Sequence, residues 1–221
     1  VPTPFDFMTL QRAADRLKVP TTDGDLPGII AAASLALANW LGYDAHLRES
    51  VEETVPSEGG VYLWLASGAV RRVLSVTVGG TELDASNYHL ESPTQGRLVR
   101  RTGGWPFTGT YSTGISSTAL MSHDTGLITV RFDAGWRTPG QVAPVLEADP
   151  SSTLKSDLPA ELEEAALITL AALYRPAGRD PNVIARTAGA GSVTWRSDPS
   201  VVPTLARQLA GRHYKHHRRK A

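Results

Sequence analysis

Hydrophobic positions recur at helical spacing in the first forty residues, alternate through the middle of the chain, and return to helical spacing after residue 156. In "TLQRAADRL", Leu10, Ala13, Ala14 and Leu17 share one face and Thr9 stands where an N-cap belongs, which predicts a first helix. Pro20 and Gly24 interrupt it. A second helix is predicted from Leu26 to Leu41, with Asp25 as its cap and Pro27 in its first turn. Leu26, Ile29, Ile30, Ala33, Leu37, Trp40 and Leu41 line one face, the other is mostly alanine, and Gly42 is a natural stop.

From about residue 50 the pattern is that of strands. "VYLWL" and "RRVLSVTV" come first, and alternation in the latter sends Leu74, Val76 and Val78 one way and Ser75 and Thr77 the other. Gly79-Gly80 predicts a tight hairpin. "TELDASNYHLE" and "GRLVRR" continue the antiparallel pattern, and "GLITVRFDAGW" places Ile128, Val130 and Phe132 inward. Two long segments rich in Gly, Ser, Thr and Pro, "TGGWPFTGTYSTGISSTALMSHDTG" and "RTPGQVAPVLEADPSSTLKSD", read as loops.

"SDLPAELEEAALITLAALYRP" predicts a third helix, with Asp157 as cap, Pro159 in the first turn, and Glu161, Glu163 and Glu164 at the positive end of the helix dipole. Leu158, Leu162, Ala166, Leu170 and Leu173 form a stripe, and Leu167, Ile168, Ala171 and Ala172 fill the remaining faces. A helix apolar nearly all round must be covered on every side, so neighbouring copies are expected to supply part of the cover. A long arm follows, with "SVTW" as a short strand, and then a final helix carrying Leu205 and Leu209. The expected class is α+β: a small helical bundle with an inserted antiparallel β-sandwich or barrel-like module, then a C-terminal arm, helix and basic tail. The expected boundaries are 1–50 with 156–211 for the helical core, 51–155 for the inserted β-domain and 212–221 for the tail.

Composition and local sequence character bear on this picture at four points. At 221 residues and 41% hydrophobic content the chain is long enough for a real core. It has no cysteine, so disulfides and thiolate metal sites are excluded. The uncharged run from Leu26 to Tyr43 contains Pro27, Gly28, Ser34, Asn39 and Gly42, which suits a buried helix rather than a membrane span. The opening "VPTPFDFMTL" lacks the basic start and apolar run of a signal peptide, and without an initiator Met the chain is expected to begin after the true N-terminus.

Charge is balanced in total, 22 basic against 22 acidic residues, but not along the chain. Between Arg207 and Lys220 lie six Lys/Arg and three His, and nothing acidic follows Asp198. Two readings stand for "GRHYKHHRRKA": a solvated terminus, or a contact with a negatively charged partner.

Catalytic patterns are lacking. His46, His89, His123, His213, His216 and His217 form no zinc-binding spacing. Ser122, His123 and Asp124 are adjacent, whereas a triad is assembled from separate parts of a chain, and no Gly-x-Ser-x-Gly elbow is present. "AGAGSVTW" lacks the Lys-Ser/Thr ending of a phosphate loop, and no metal or cofactor is expected.

The ordered set "LQRAADRLKVPTTDGDLPGIIAAASLALANWLGY", "VLSVTVGGTELDASNYHLE", "GRLVRRTGGWP", "ITVRFDAGW" and "DLPAELEEAALITLAALYR" resembles the head–tail connector (adaptor) family of tailed bacteriophages and gene transfer agents. The resemblance covers most of residues 9–175 and rests on the combination, since no single motif is diagnostic. It implies a structural protein rather than an enzyme: a ring, usually of twelve copies, beneath the portal protein, joining the capsid to the next neck or tail-completion protein and continuing the channel for DNA. It implies a place in the virion, reached from the host cytoplasm, with no membrane partner.

Carried over, the resemblance sets the C-terminal segment against the portal, with Arg212, His213, Tyr214, Lys215, His216, His217, Arg218, Arg219 and Lys220 as candidate contacts; DNA phosphates are the alternative partner. The candidate contacts between copies are Ile29, Ala33, Leu37 and Trp40 on the second helix and Leu162, Leu167 and Leu170 on the third. A rival function is a carbohydrate- or protein-binding virion protein built on the β-module, with Trp105, Phe107 and Tyr111 as its aromatic contacts.

Overall fold

The computed structural model describes residue 3 and residues 5–57, 59–106, 128–174 and 201–214, together with the backbone of two short strands at 183–186 and 193–195. The chain is of mixed α+β class and forms two compact units. The helical unit takes residues 3–41 and 137–214, and the β unit takes 42–136. The return to the helical unit at Arg137 comes earlier than the boundary expected at 156.

In the helical unit, α1 (Leu10–Leu17) starts at Thr9, whose side chain accepts from the Arg12 backbone N–H, and ends at Lys18 in the left-handed region. The second helix, α2 (Leu26–Leu41), buries Leu26, Ile30, Ala33, Ser34, Leu37 and Leu41. Ser34 is tolerated in that stripe because its Oγ accepts the Phe7 backbone N–H at 3.1 Å. A helix that composition hid, α3 (Pro139–Ala148), occupies the segment expected as a loop. It is nucleated by a capping box: the Thr138 side chain receives the Gln141 N–H while the Gln141 side chain receives the Thr138 N–H.

The helix α4 (Ala160–Leu173) lies against α1, α2 and the last helix, α5 (Thr204–Ala210). These neighbours bury Leu162, Ala165, Ala166, Leu167, Thr169 and Leu170. The apolar surface expected to need other copies is therefore largely covered by the chain's own helices. Asp157 does not cap α4; its carboxylate accepts the Arg137 N–H at 2.6 Å, and its N–H returns a bond to the Arg137 carbonyl. Tyr174, at the end of α4, donates its hydroxyl to Asp23 just before α2, so the two helices run antiparallel.

Among the described residues the β unit holds seven strands in two antiparallel sheets. One sheet contains β1 (Arg48–Val55), β3 (Val70–Val78), β4 (Thr81–Glu82) and β7 (Ile128–Ala134) in the order β1-β7-β3-β4. The other contains β2 (Tyr62–Trp64), β5 (Tyr88–Ser92) and β6 (Arg97–Arg100) in the order β2-β6-β5. Both contribute to a single apolar core that includes Leu63, Val76, Leu98, Trp105, Val130 and Phe132. Among the described residues the strands do not close into a barrel.

Alternation placed most of this core correctly, with one exception. A register shift between Val73 and Ser75 turns Leu74 outward while Val76 stays fully buried. The Gly79-Gly80 hairpin forms as expected, with both glycines at positive φ. In the arm, β8 (Val183–Arg186) and β9 (Val193–Trp195) pair antiparallel, the latter where "SVTW" predicted a strand.

Candidate functional site

Among the described residues no group of three or more His, Cys, Asp or Glu is placed to hold a metal ion. His46 is half-buried beside Asp44 and Arg48, and burial pulls its pKa below the usual histidine value. Ser122, His123, Asp124, Phe107 and Tyr111 lie outside the described residues. Trp105, offered as a surface contact for the rival glycan-binding reading, is 1% exposed and belongs to the β core. Among the described residues no helix is long and apolar enough to cross a membrane.

The seven residues expected between copies divide into two groups. Ala33, Leu37, Leu162, Leu167 and Leu170 are buried within a single copy. The chain's own helices enclose these side chains, which gives each of them a place in the core of one copy. Ile29 and Trp40 are half-buried and keep some free surface. The most exposed large apolar side chain on α2 is Leu35, at 59%, which periodicity did not single out because it sits on the alanine face.

The expected tail is folded at its root. After α5 the chain makes a 3-10 turn at Gly211–His213, closed by a bond from the Tyr214 N–H to the Gly211 carbonyl. Arg212 pairs with Glu161 in the first turn of α4. Tyr214 sets its ring against that of Trp40, with centroids 5.0 Å apart and planes inclined at 43°. His213 Nε2 accepts from Arg212 Nε at 3.2 Å and lies 4.0 Å from Glu161 Oε2. Burial first, and then the Arg212 charge, push the His213 pKa below its usual value. Lys215, His216, His217, Arg218, Arg219 and Lys220 lie outside the described residues.

The acidic start of α4 gathers cations from two other parts of the chain. Glu163 meets Arg12 at 2.9 Å, Glu164 meets Arg16 at 2.9 Å, and Glu161 meets Arg212. Each pair is solvated and contributes little alone. Together they place the C-terminal root beside α1, at the end of the helical unit where α2 finishes and α4 begins.

No protein-family model and no curated protein matches this chain. Solved structures do match over its whole length. A chain in the neck of the native gene transfer agent particle computed with C12 symmetry aligns with a TM-score of 0.53 and 14% identity, covering 100% of this chain and 96% of that one. A chain in the neck of the empty particle computed with C6 symmetry gives 0.53 and 16%, and one in the virion of the native particle gives 0.50 and 15%, both with the same coverage. Over its full length, this chain has the fold of a chain found in the neck of gene transfer agent particles.

Proposed function

We propose that this chain is a head–tail connector (adaptor) subunit of a tailed phage or phage-like particle. It works without catalysis, as a structural piece of the virion neck. Copies associate head to tail into a closed ring, with twelve as the expected number, under the portal protein. The ring joins the capsid to the next neck or tail-completion protein and continues the channel for DNA.

The observation that supports this reading is the full-length fold match to neck chains, in particles whose necks were computed with C12 and C6 symmetry. The particle context of those chains supports a place in the neck, and the order of the sequence elements supports the connector role within it. The experiment is the mass of the purified protein, alone and mixed with a portal protein from the same genome, followed by electron microscopy. A ring seen alone or on the portal supports the reading. A single copy that neither associates nor touches the portal overturns it.

A further inference from the structure

The three-stranded sheet of the β unit turns one face into the core and the other outward. We infer that the outward face is a binding site for a straight, uncharged chain of pyranose sugars, centred on Tyr62, Trp64 and Arg97. This contact would be additional to a place in the neck and does not rest on the connector reading, since copies can form a ring whether or not this face binds sugar.

The strand register assembles the face. Leu63 and Leu98 pair across β2 and β6 and are buried, so Tyr62 and Trp64 on β2, and Arg97 and Val99 on β6, point the other way. His89 stands opposite Val99 on β5. Glu91 falls in the register shift between Leu90 and Ser92, and its carboxylate meets Arg97 Nε at 2.6 Å. The strand β2 is at the edge of its sheet, and Tyr62 is 50% exposed.

Arg97 fixes the two rings. Its guanidinium carbon lies 5.1 Å from the Tyr62 ring centroid and 5.3 Å from that of Trp64. One planar cation therefore holds both side chains in place. Aromatic groups set before a ligand arrives lose little freedom on binding it. Residues two apart on one strand stand about 7 Å from each other, which suits successive units of an extended ligand.

The polar atoms of the face suit hydroxyl groups. The ion pair uses Arg97 Nε, while its two Nη groups, the Tyr62 hydroxyl and the His89 ring have no hydrogen-bond partner among the described residues. A pyranose chain offers hydroxyls that exchange hydrogen bonds with these groups, and C–H faces that lie on the rings.

Charge decides against other extended ligands. Of the residues on this face, Arg97 and Glu91 carry formal charge, and they cancel. No surplus positive charge is left for nucleic-acid phosphates, and no surplus of either sign for a charged peptide. Arg100, the next cation on β6, is directed instead to the Trp105 ring and the Gly104 carbonyl.

The test titrates the full-length chain with cellopentaose, a straight neutral chain of β-linked glucose, and follows the heat of binding. A dissociation constant on the order of 1 mM is expected. Maltopentaose, the same sugar in a curved α-linked chain, and decathymidylate, a charged single strand, should each bind at least about fivefold more weakly. Tyr62→Ala should weaken cellopentaose binding about tenfold, while Tyr62→Phe, which keeps the ring, should stay within about threefold of wild type. Arg97→Lys keeps the charge but not the planar fork and should lose about fivefold.

No heat with cellopentaose at about 10 mM would overturn the sugar ligand. So would equal or tighter binding of maltopentaose or decathymidylate. An affinity unchanged in both Tyr62→Ala and Arg97→Lys would overturn this face as the site. Melting curves accompany each titration; should Tyr62→Ala melt well below wild type, Arg97→Lys carries the same comparison. Ring formation by Tyr62→Ala, read by electron microscopy, should match that of wild type, so loss of sugar binding and failure of the connector reading are separate results.

Discussion

Asp133 Oδ1 accepts the backbone N–H of Ser50 at 2.9 Å. Ser50 has φ +52 and lies in the register shift between Arg48 and Val51 on β1. The other oxygen of Asp133 receives Arg72 Nε at 2.5 Å, beside a second shift on β3. One carboxylate on the central strand thus fixes irregular backbone on both flanking strands. The Ser50 N–H, helped by Arg72, holds the carboxyl below its ordinary pKa against the opposing effect of burial.

A lowered folded pKa means that the stabilisation is fully present above the ordinary aspartate value of about 4 and is lost as pH falls through the folded value. Asp133→Ala should cost about 1–3 kcal/mol near neutral pH. The difference between variant and wild type should shrink below pH about 4. Thermal melts across that range read both effects, and a pH-independent difference would contradict them.

The His213 imidazole works in the opposite charge sense. Its Nε2 serves as an acceptor for Arg212, so protonation removes the bond and sets two cations together. Glu161, at 4.0 Å, is already committed to Arg212. Because the folded pKa is lowered, there is no penalty above the ordinary histidine value of about 6.5, and one grows as pH falls below it. Amide exchange at residues 212–214 should therefore quicken several-fold between pH about 7.5 and about 5.5, after correction for intrinsic exchange. His213→Gln should remove that dependence.

Leu37 and Leu162 separate a core role from an interface role. Both are fully buried within one copy. Leu37→Ala or Leu162→Ala should lower the stability of the isolated chain by about 2–5 kcal/mol. Had these side chains served only as contacts between copies, truncation would change the assembled mass and leave the single copy's melting unaltered. Denaturant unfolding at low protein concentration distinguishes the two outcomes.

The helices α1, α2 and α4, the hairpin and the β core were legible because each depends on local spacing or on the backbone freedom of glycine. The cover of α4 was not. Periodicity shows that Leu167 and Ala165 must be hidden, but not whether α5 or a neighbouring copy hides them. The Thr138–Gln141 capping box was visible in the sequence, yet Pro139, Gly140 and Pro144 together looked like a loop. Leu74 was misdirected because a bulge breaks alternation without leaving a pattern in residue types. The contact of Tyr214 with Trp40 joins residues far apart in sequence, and no local signal announces it.

Gly135 is a demanding backbone position in the β unit. It follows β7, has φ +84, and donates its N–H to the Ala69 carbonyl at 2.9 Å. Next to it, Trp136 donates to Ala45 at 2.8 Å, and His46 bridges Trp136 in parallel. A Cβ on Gly135 would lie 2.0 Å from the His46 carbonyl oxygen, so an alanine meets both conformational strain and backbone that is held in place. Gly80, with φ +79 and nothing within 4 Å of where a Cβ would stand, isolates the strain alone. Gly80→Ala should cost about 1–2 kcal/mol, and Gly135→Ala should exceed it by about 2 kcal/mol or unfold the unit outright. Denaturant curves followed by tryptophan fluorescence, to which Trp64, Trp105 and Trp136 of the β unit contribute alongside Trp40 and Trp195, provide the comparison. Equal costs at the two glycines would mean that the approach to His46 relaxes freely, and that this junction is not the rigid root of the sheet that its hydrogen bonds describe.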